Sequence, residues 1–208
     1  GGPVRESELV AKIDSLRAED PAFRGCSFAT IPGLGPHAAL PHYRHTAASD
    51  RASRPDDVLA LDSGGQYLDG TTDVTRTFVN GAVSAEFRAR YTAVLKSFVR
   101  VCSLRFPAGT HGIQIDAIAR EPLWRTGVDF DHGTGHGVGS FLGVHEGPQR
   151  IRRDGTGLHP LQAGMIVSIE PGYYAAGRYG MRIENLALIA PAGPSVDGVP
   201  TLQFEQLT

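Results

Sequence analysis

Apolar positions along the chain follow two periods, one of three to four residues and one of two. The longer period appears within residues 5–19, where it predicts a helix that ends before Pro21. The apolar positions of this helix are Leu9, Ile13 and Leu16. Residues 24–49 show neither period and are rich in glycine, proline and histidine, which predicts loops with short strands.

Two further helices are predicted in the middle of the chain. Ser84 can cap the first by accepting a hydrogen bond from its first turn. The predicted apolar side of this helix consists of Phe87, Tyr91, Val94, Leu95, Phe98 and Cys102. The second helix is predicted from Ile113 to Trp124 and is closed by Gly127, and Pro122 is expected to kink or split it.

Strand patterns occupy most of the remaining sequence. Residues 56–80 form two strand-like runs around the turn dipeptide Asp69-Gly70, which predicts a β-hairpin. From Phe130 onward, strands and turns are predicted in "FDHGTGHGVGSF", "AGMIVSIEPGYY", "GMRIENLALIA" and "LQFEQLT". The order of elements is helix, strands, two helices and strands, so residues 1–208 are predicted to form one α+β domain.

The composition is that of an ordinary globular domain, with 41% hydrophobic and 20% charged residues. A net charge of −2 provides no basic surface for nucleic acid, and no apolar run approaches the roughly 20 residues that span a membrane. Cys26 and Cys102 do not make a disulfide framework, which favours a reducing compartment. We therefore expect a cytoplasmic protein without nucleic-acid or membrane partners.

Several acids lie inside runs that otherwise predict buried strand. Four acids and one histidine in a glycine-rich run share this feature: Asp62, Asp73, Glu170, Glu184 and His136. For one buried acid, a salt bridge or a backbone hydrogen bond is the commoner explanation. For four together it fails, because Arg76 and Arg182 are the only obvious cations nearby and uncompensated buried carboxylates are costly. A pair of divalent cations would offset the four charges directly.

The positions of these acids support one shared metal site. Asp62 and Asp73 lie on the two arms of one hairpin, and Glu170 ends a strand. Arg182 and Glu184 are two residues apart, hence on one strand face, so Arg182 is predicted to orient a ligand carboxylate from behind. Four carboxylates and one imidazole suit Mn²⁺ best, and Co²⁺ or Zn²⁺ also fit.

Histidines cluster in "DHGTGHGVGSFLGVHEGP". His132 and His136 are four apart, but the intervening glycines argue against a helix. In an extended strand they share a face, so one can ligate a metal while the other lines the same pocket. His145 follows shortly after, whereas His42 in "LPHYRH" is a weaker candidate. His37 is undecided, and three histidines are predicted at the surface or in loops: His45, His111 and His159.

Several motifs together resemble the pita-bread metallopeptidases, and within them the X-prolyl aminopeptidases (aminopeptidase P). The motifs are "LDSGGQYLDGTTDVTRT", "HGTGHGVGSFLGVHEGP", "SIEPGYY" and "GMRIEN", with "GPHAALPHYR" and "LQFEQLT" in support. The first is highly specific, and the similarity runs from about Ser27 to the end. The resemblance implies two related α/β halves whose antiparallel sheet cups a dinuclear metal site.

The resemblance also implies roles for particular residues. Asp62 would bind one ion, Asp73 and Glu184 would bridge both, and His136 and Glu170 would bind the other. His42, His132 and His145 would line the substrate site. The expected activity is removal of the N-terminal residue from small peptides with proline second, by attack of a hydroxide that bridges the two metals.

Roles in that reaction follow from residue chemistry. Glu170 is the expected base, and His42 and His145 would stabilise charge on the carbonyl oxygen. His132 would form part of the wall that selects proline, which has no N–H to recognise. Two alternatives stay open: a prolidase-type Xaa-Pro dipeptidase, and a non-catalytic pita-bread module that binds peptides or proteins.

Some features depart from the family pattern. Relatives usually carry asparagine where His37 stands. Their catalytic domain opens with a long helix, preceded by further domains, and both are missing from a chain that begins Gly-Gly. We therefore expect residues 1–208 to be an N-terminally truncated catalytic domain. Whether the full-length protein forms a homodimer stays open.

Overall fold

A computed structural model describes residues 2–154, 159–195 and 197–208. Its helices are α1 (Glu6–Arg17), α2 (Ala85–Cys102) and α3 (Gly112–Trp124), and a 3₁₀ helix spans Gly35–Ala39. The strands of the first half are β1 (Phe23–Cys26), β2 (Ile31–Leu34), β3 (Val58–Ser63), β4 (Gly65–Tyr67), β5 (Gly70–Thr71) and β6 (Val74–Val79). Those that follow are β7 (Arg105–Pro107), β8 (Gly135–His136), β9 (Arg150–Ile151), β10 (Ile166–Ile169), β11 (Gly172–Ala175), β12 (Tyr179–Arg182), β13 (Asn185–Pro194) and β14 (Pro200–Gln206).

The strands form small antiparallel sheets. In the first half of the chain the orders are β2-β3-β6 and β1-β4-β5, and in the second half β10-β13-β14-β7, β11-β12 and β8-β9. Helices thus occur together with antiparallel sheets, which confirms the predicted α+β class. None of the described helices is long and apolar enough to cross a membrane.

The predicted hairpin of residues 56–80 forms in two tiers. Its outer arms are β3 and β6, which pair with Asp62 opposite Thr75. Its inner arms are β4 and β5, joined at Leu68-Asp69, and β4 also pairs with β1, so these three strands form a separate sheet. The predicted turn forms one residue earlier than expected, because its loop is Leu68-Asp69 and Gly70 already pairs with Tyr67. The change of sheet between the tiers leaves Asp73 just ahead of β6.

The long helix α2 begins as predicted, because Ser84 Oγ accepts a hydrogen bond from the backbone N–H of Phe87 at 3.1 Å. Its buried face is centred on Val94, Ser97 and Val101, which lie against α3 and the sheets. Leu95 does not belong to this face. It is 41% exposed, because it stands one residue, or about 100°, beyond Val94 around the helix.

The helix α3 runs unbroken from Gly112 through Pro122 to Trp124, so of the expected kink or split, the split does not occur. Pro122 lies in the last turn, where its missing N–H removes one bond and leaves the preceding turns intact. Gly127 follows with a φ of +74°, and its N–H donates to Trp124 O at 2.9 Å. The predicted helix end is therefore confirmed.

The first helix, α1, is held mainly by a polar residue. Leu16 is 45% exposed, whereas the carboxylate of Glu6 is fully buried. Glu6 accepts hydrogen bonds from Leu34 N at 2.9 Å, Tyr43 Oη at 2.8 Å and Arg51 N at 3.2 Å. A buried carboxylate with these donors fastens α1 to the loop between β2 and β3.

Two expected strands are shorter than predicted. His132 lies in a loop, because β8 comprises only two residues and ends at His136. Glu184 lies between β12, which ends at Arg182, and β13. Arg182 and Glu184 therefore do not share a strand, although both side chains contact Thr75. The glycines around His132 have little side chain to pack, which limits strand formation there.

Candidate metal centre

One cleft of about 490 Å³ gathers the side chains that the sequence singles out. It is lined by His42, Asp62, Asp73, His132, His136, His145, Glu170, Arg182 and Glu184. These residues come from both halves of the chain, so the cleft forms only when the β2-β3-β6 sheet packs against the elements around β8, β10 and β12.

Asp73, His136 and Glu184 form a group of donors whose potential ligand atoms lie within 4.8 Å of one another. His136 Nε2 is 3.4 Å from Asp73 Oδ2 and 3.3 Å from Glu170 Oε1. Carboxylate oxygens and an imidazole nitrogen at such separations can be drawn onto a shared cation. Four segments separated in sequence thus contribute to one point in the cleft.

Asp62 projects into the same cleft from β3. Its Oδ2 accepts a hydrogen bond from Arg182 Nη2 at 2.5 Å. Its Oδ1 is buried and has no hydrogen-bond partner among the described residues. A buried carboxylate oxygen without a donor is costly, and a cation would satisfy it. The position of Asp62 therefore fits a metal ligand.

The carboxylates of the cleft oppose one another electrostatically. Burial, reinforced by the charges of Asp73 and its neighbours, raises the pKa of Asp62 to about 6 and that of Glu170 to about 7. The same causes raise the pKa of Glu184 well above its ordinary value. Arg182 relieves only part of this repulsion. Divalent cations would supply the missing positive charge, so the donor set fits the predicted metals.

His136 presents one nitrogen to the carboxylates and uses the other on the backbone. Its Nδ1–H donates to Gly137 O at 3.0 Å, which leaves Nε2 facing Asp73 and Glu170. Burial lowers its pKa, but the bond to Asp73 and the charge of Glu170 outweigh burial and raise it to about 9. A metal that binds Nε2 must therefore displace a proton.

Two buried hydroxyls that the sequence did not single out connect the acids. Thr75 Oγ1 donates to Glu184 Oε2 at 2.6 Å and accepts from Arg182 Nε at 2.9 Å. Ser168 Oγ donates to Glu170 Oε1 at 3.0 Å and accepts from His136 N at 2.9 Å. Both hydroxyls lie two residues from an acid, Thr75 from Asp73 and Ser168 from Glu170, so strand alternation could have indicated them.

His132 is locked by hydrogen bonds on both ring nitrogens. Arg182 Nη1 donates to Tyr174 Oη at 2.9 Å, so the phenol proton is free for His132 Nε2 at 2.8 Å. His132 Nδ1–H donates to Gly133 O at 2.7 Å. Burial, then the charge of Arg182, lowers its pKa to about 3. The ring is therefore neutral and presents its carbon atoms to the cleft. No sequence pattern indicated Tyr174.

The remaining histidines of the cleft are more exposed. His42 and His145 line its outer part, and the His145 ring centroid lies 4.3 Å from that of His136. Burial, followed by the charge of His136, lowers the pKa of His145. His37 stands outside the cleft lining, where its Nδ1 lies 2.9 Å from Glu6 Oε1. His37 is therefore tied to the base of α1.

The buried cations differ from those expected. Arg76 is exposed and donates to the backbone oxygen of Glu184 at 2.5 Å. Arg120, which the sequence did not single out, is fully buried on α3 behind the loop that carries His132. In the run "AIAREPLW" the burial of Arg120 was not predicted, because three of its partners, Asp129, Phe130 and His132, lie further along the chain.

The model of metallopeptidase family M24 matches residues 2–191. The chain belongs to this family. Aminopeptidase P1 of Arabidopsis thaliana is 47% identical over 208 residues, which are 99% of this chain and 32% of that protein. A probable Xaa-Pro aminopeptidase P of Laccaria bicolor is 48% identical over 190 residues, 91% of this chain and 30% of that protein.

Two solved structures carry the same fold. One is X-prolyl aminopeptidase from Caenorhabditis elegans, which is described as a cytosolic enzyme with a dinuclear active site. The alignment covers 100% of the present chain and 34% of the Caenorhabditis elegans chain, with a TM-score of 0.93 and 42% identity. The other is prolidase from Pyrococcus furiosus. Its alignment covers 99% of the present chain and 56% of the prolidase chain, with a TM-score of 0.84 and 31% identity. The pita-bread fold is thus confirmed, and the chain spans about a third of the curated relatives' length.

Proposed function

We propose that the protein carrying this chain removes the N-terminal residue from peptides with proline in the second position. The observation that carries the proposal is the convergence of five donor side chains from both halves of the chain in one cleft. The relatives named aminopeptidase P retain 47–48% identity along nearly all of this chain, which supports the substrate class.

The proposed ligands of two divalent cations are Asp62, Asp73, His136, Glu170 and Glu184. Asp62 would serve one ion, His136 and Glu170 the other, and Asp73 with Glu184 both. Mn²⁺ is the proposed metal because four carboxylates and one imidazole form a hard ligand set. When bound, such cations lower the pKa of water and polarise a carbonyl group.

The side chains around this centre have separate proposed roles in proton transfer, charge stabilisation and substrate binding. Glu170 takes the proton from the attacking water and delivers it to the leaving nitrogen. His42 and His145 stabilise the charge that develops on the carbonyl oxygen. The carbon face of His132, whose nitrogens are both engaged, packs against the proline ring. Arg182 holds Asp62 in orientation through its hydrogen bond.

A prolidase-type dipeptidase is the second candidate, favoured by the structural similarity to the Pyrococcus furiosus prolidase. Identity to that protein is 31%, against 47–48% to the relatives named aminopeptidase P, so the aminopeptidase is preferred. A cytosolic location is proposed by analogy with the Caenorhabditis elegans enzyme.

The test uses the full-length protein with Mn²⁺ and three peptides: Ala-Pro-Ala, Ala-Ala-Ala and the dipeptide Ala-Pro. Release of alanine from Ala-Pro-Ala, with much slower release from the other two, is expected, together with two bound metal ions per chain by elemental analysis. Faster cleavage of Ala-Pro would favour the dipeptidase. If the protein binds no metal after incubation with excess Mn²⁺, both the aminopeptidase and the dipeptidase assignments are refuted, and the non-catalytic module is favoured.

A further inference from the structure

A buried ion pair on α3 lies directly behind the candidate metal centre. Asp116 and Arg120 are each 1% exposed, and Arg120 Nε donates to Asp116 Oδ2 at 2.7 Å. Neither residue lines the cleft. Replacing a buried ion pair by apolar residues is often neutral for stability, so fold stability alone is a weak reason for its presence.

The guanidinium of Arg120 binds two backbone oxygens in addition to the carboxylates of Asp116 and Asp129. Its Nη1 donates to Phe130 O at 2.5 Å, and its Nη2 donates to His132 O at 2.7 Å. Nη1 also donates to Asp129 Oδ1 at 2.8 Å. The planar group therefore reaches successive points of the chain from residue 129 to residue 132, which the single charge of a lysine cannot do.

Asp116 fastens the next part of the same segment. Its Oδ1 accepts from Thr134 Oγ1 at 2.7 Å and from Thr134 N at 3.3 Å. The backbone oxygen of Thr134 in turn accepts from Glu170 N at 2.8 Å. A continuous set of hydrogen bonds thus joins α3 to Glu170 through Thr134.

The segment needs this support because it has no strand partner of its own. Residues 129–134 precede β8, and their backbone is held by side chains rather than by a strand ladder. The segment carries His132 and leads directly into His136. A shift of its backbone would move the wall of the cleft and the proposed metal ligands together.

We propose that Asp116 and Arg120 are positioning residues that hold His132, His136 and Glu170 in the relative positions that the reaction requires. The expected effect on kcat and KM rests on the proposed function. The expected effect on Mn²⁺ binding rests only on the contacts described above. The pair touches neither substrate nor metal and acts through the backbone of residues 130–134.

The experiment compares matched variants of the full-length protein. Arg120→Lys keeps the positive charge but loses the planar set of N–H donors of the guanidinium. Thr134→Val removes only the hydroxyl that binds Asp116, and Thr134→Ser retains it. Ile115→Val removes one buried methyl from the neighbouring position of α3, which packs in the core, and serves as the control for general destabilisation. The readouts are the Kd for Mn²⁺ by calorimetry, and kcat and KM for Ala-Pro-Ala, all below the onset of unfolding.

We expect Arg120→Lys and Thr134→Val to lower kcat/KM and weaken Mn²⁺ binding by about 10–100-fold, as for residues that orient metal ligands. Thr134→Ser and Ile115→Val should stay within about threefold, because they keep the hydrogen bonds that orient those ligands. A packing role predicts the reverse order at position 134, because valine keeps the volume of threonine and serine does not.

Each result decides a point. If Thr134→Ser is the impaired variant, or if Arg120→Lys matches Ile115→Val in both readouts, the positioning role is refuted. If wild type binds Mn²⁺ but does not cleave Ala-Pro-Ala, the proposed function fails, and the Mn²⁺ series still decides positioning. If Arg120→Lys does not fold, the Thr134 pair carries the test.

Discussion

Glu170 is proposed both to bind metal and to transfer a proton, and its surroundings suit both roles. Its carboxylate lies 3.3 Å from His136 Nε2, accepts from Ser168 and is 3.9 Å from Arg182 Nε. Burial raises its pKa to about 7. A carboxylate held between a proposed ligand and a cation is suited both to bind metal and to exchange a proton.

Glu170→Gln is therefore expected to lower kcat by about 10²–10⁴-fold, because the amide cannot accept the proton. The shape of the side chain is kept, so the melting temperature should change little. Kinetics on Ala-Pro-Ala and thermal unfolding check both points, with Glu205→Gln at an exposed position of β14 as the control. Near-wild-type kcat in Glu170→Gln would exclude the role of base.

Arg182→Lys tests the orientation of Asp62. Arg182 makes three hydrogen bonds, to Asp62, Tyr174 and Thr75, and lysine cannot reproduce this fork. Metal affinity or activity should fall about 10–100-fold. A metal titration with activity at saturating metal measures both.

The matched control is Arg178→Lys, which alters an exposed ion pair with Glu86 that solvent screens and that contributes little to stability. If Arg182→Lys stays within twofold of wild type in both measurements, as Arg178→Lys should, Arg182 does not orient a ligand.

Single elements were predicted with different success. Ser84 and Gly127 carry local chemistry that sets helix ends, and both ends were found where expected. The side of α2 that Leu95 occupies, by contrast, depends on what packs against the helix. Likewise, the expected strand around His132 did not form, because a strand requires a partner as well as an extended sequence.

The contact between β8 and β10 gives a prediction at this scale. A Cβ on Gly135 would lie 1.9 Å from Ser168 O, whereas one on Gly70 of β5 would meet nothing within 4 Å. Gly135→Ala should therefore separate β8 from β10 and lower the free energy of unfolding by about 1–3 kcal/mol or more. Urea unfolding of both variants measures this. Equal stability of Gly135→Ala and Gly70→Ala would show that β8 does not pack as closely as described.

At the scale of the whole molecule, the cleft makes stability depend on pH and metal. Between pH 7 and 9 the folded chain retains protons on Glu170 and His136, with pKa values of about 7 and 9, that the unfolded chain has released. The folded state then binds more protons, so its stability falls as pH rises. His132 is neutral in both states above pH 7 and does not oppose this trend.

We therefore expect protein kept in chelator to lose stability from pH 7 to pH 9. Added Mn²⁺ should stabilise it, because binding to the folded state adds RT ln(1 + [L]/Kd), and more so at pH 9, where fewer protons compete for the ligands. Urea unfolding at both pH values, with and without Mn²⁺, measures the four free energies. A gap between the metal-loaded and chelated protein that narrows toward pH 9 would contradict this account.

The sequence by itself determined the helices, the hairpin turn and the acids and histidines that meet in the cleft. These features follow from short-range periodicity, capping chemistry and the cost of burying a carboxylate. Only the tertiary structure decided which groups support them. Arg182 bonds to Asp62 across 120 positions of sequence, and Thr75 bonds to Glu184 across 109. The contacts of Arg120 with Phe130 and His132 likewise depend on how the loop after α3 returns, and no local pattern records such contacts because the path of the chain creates them.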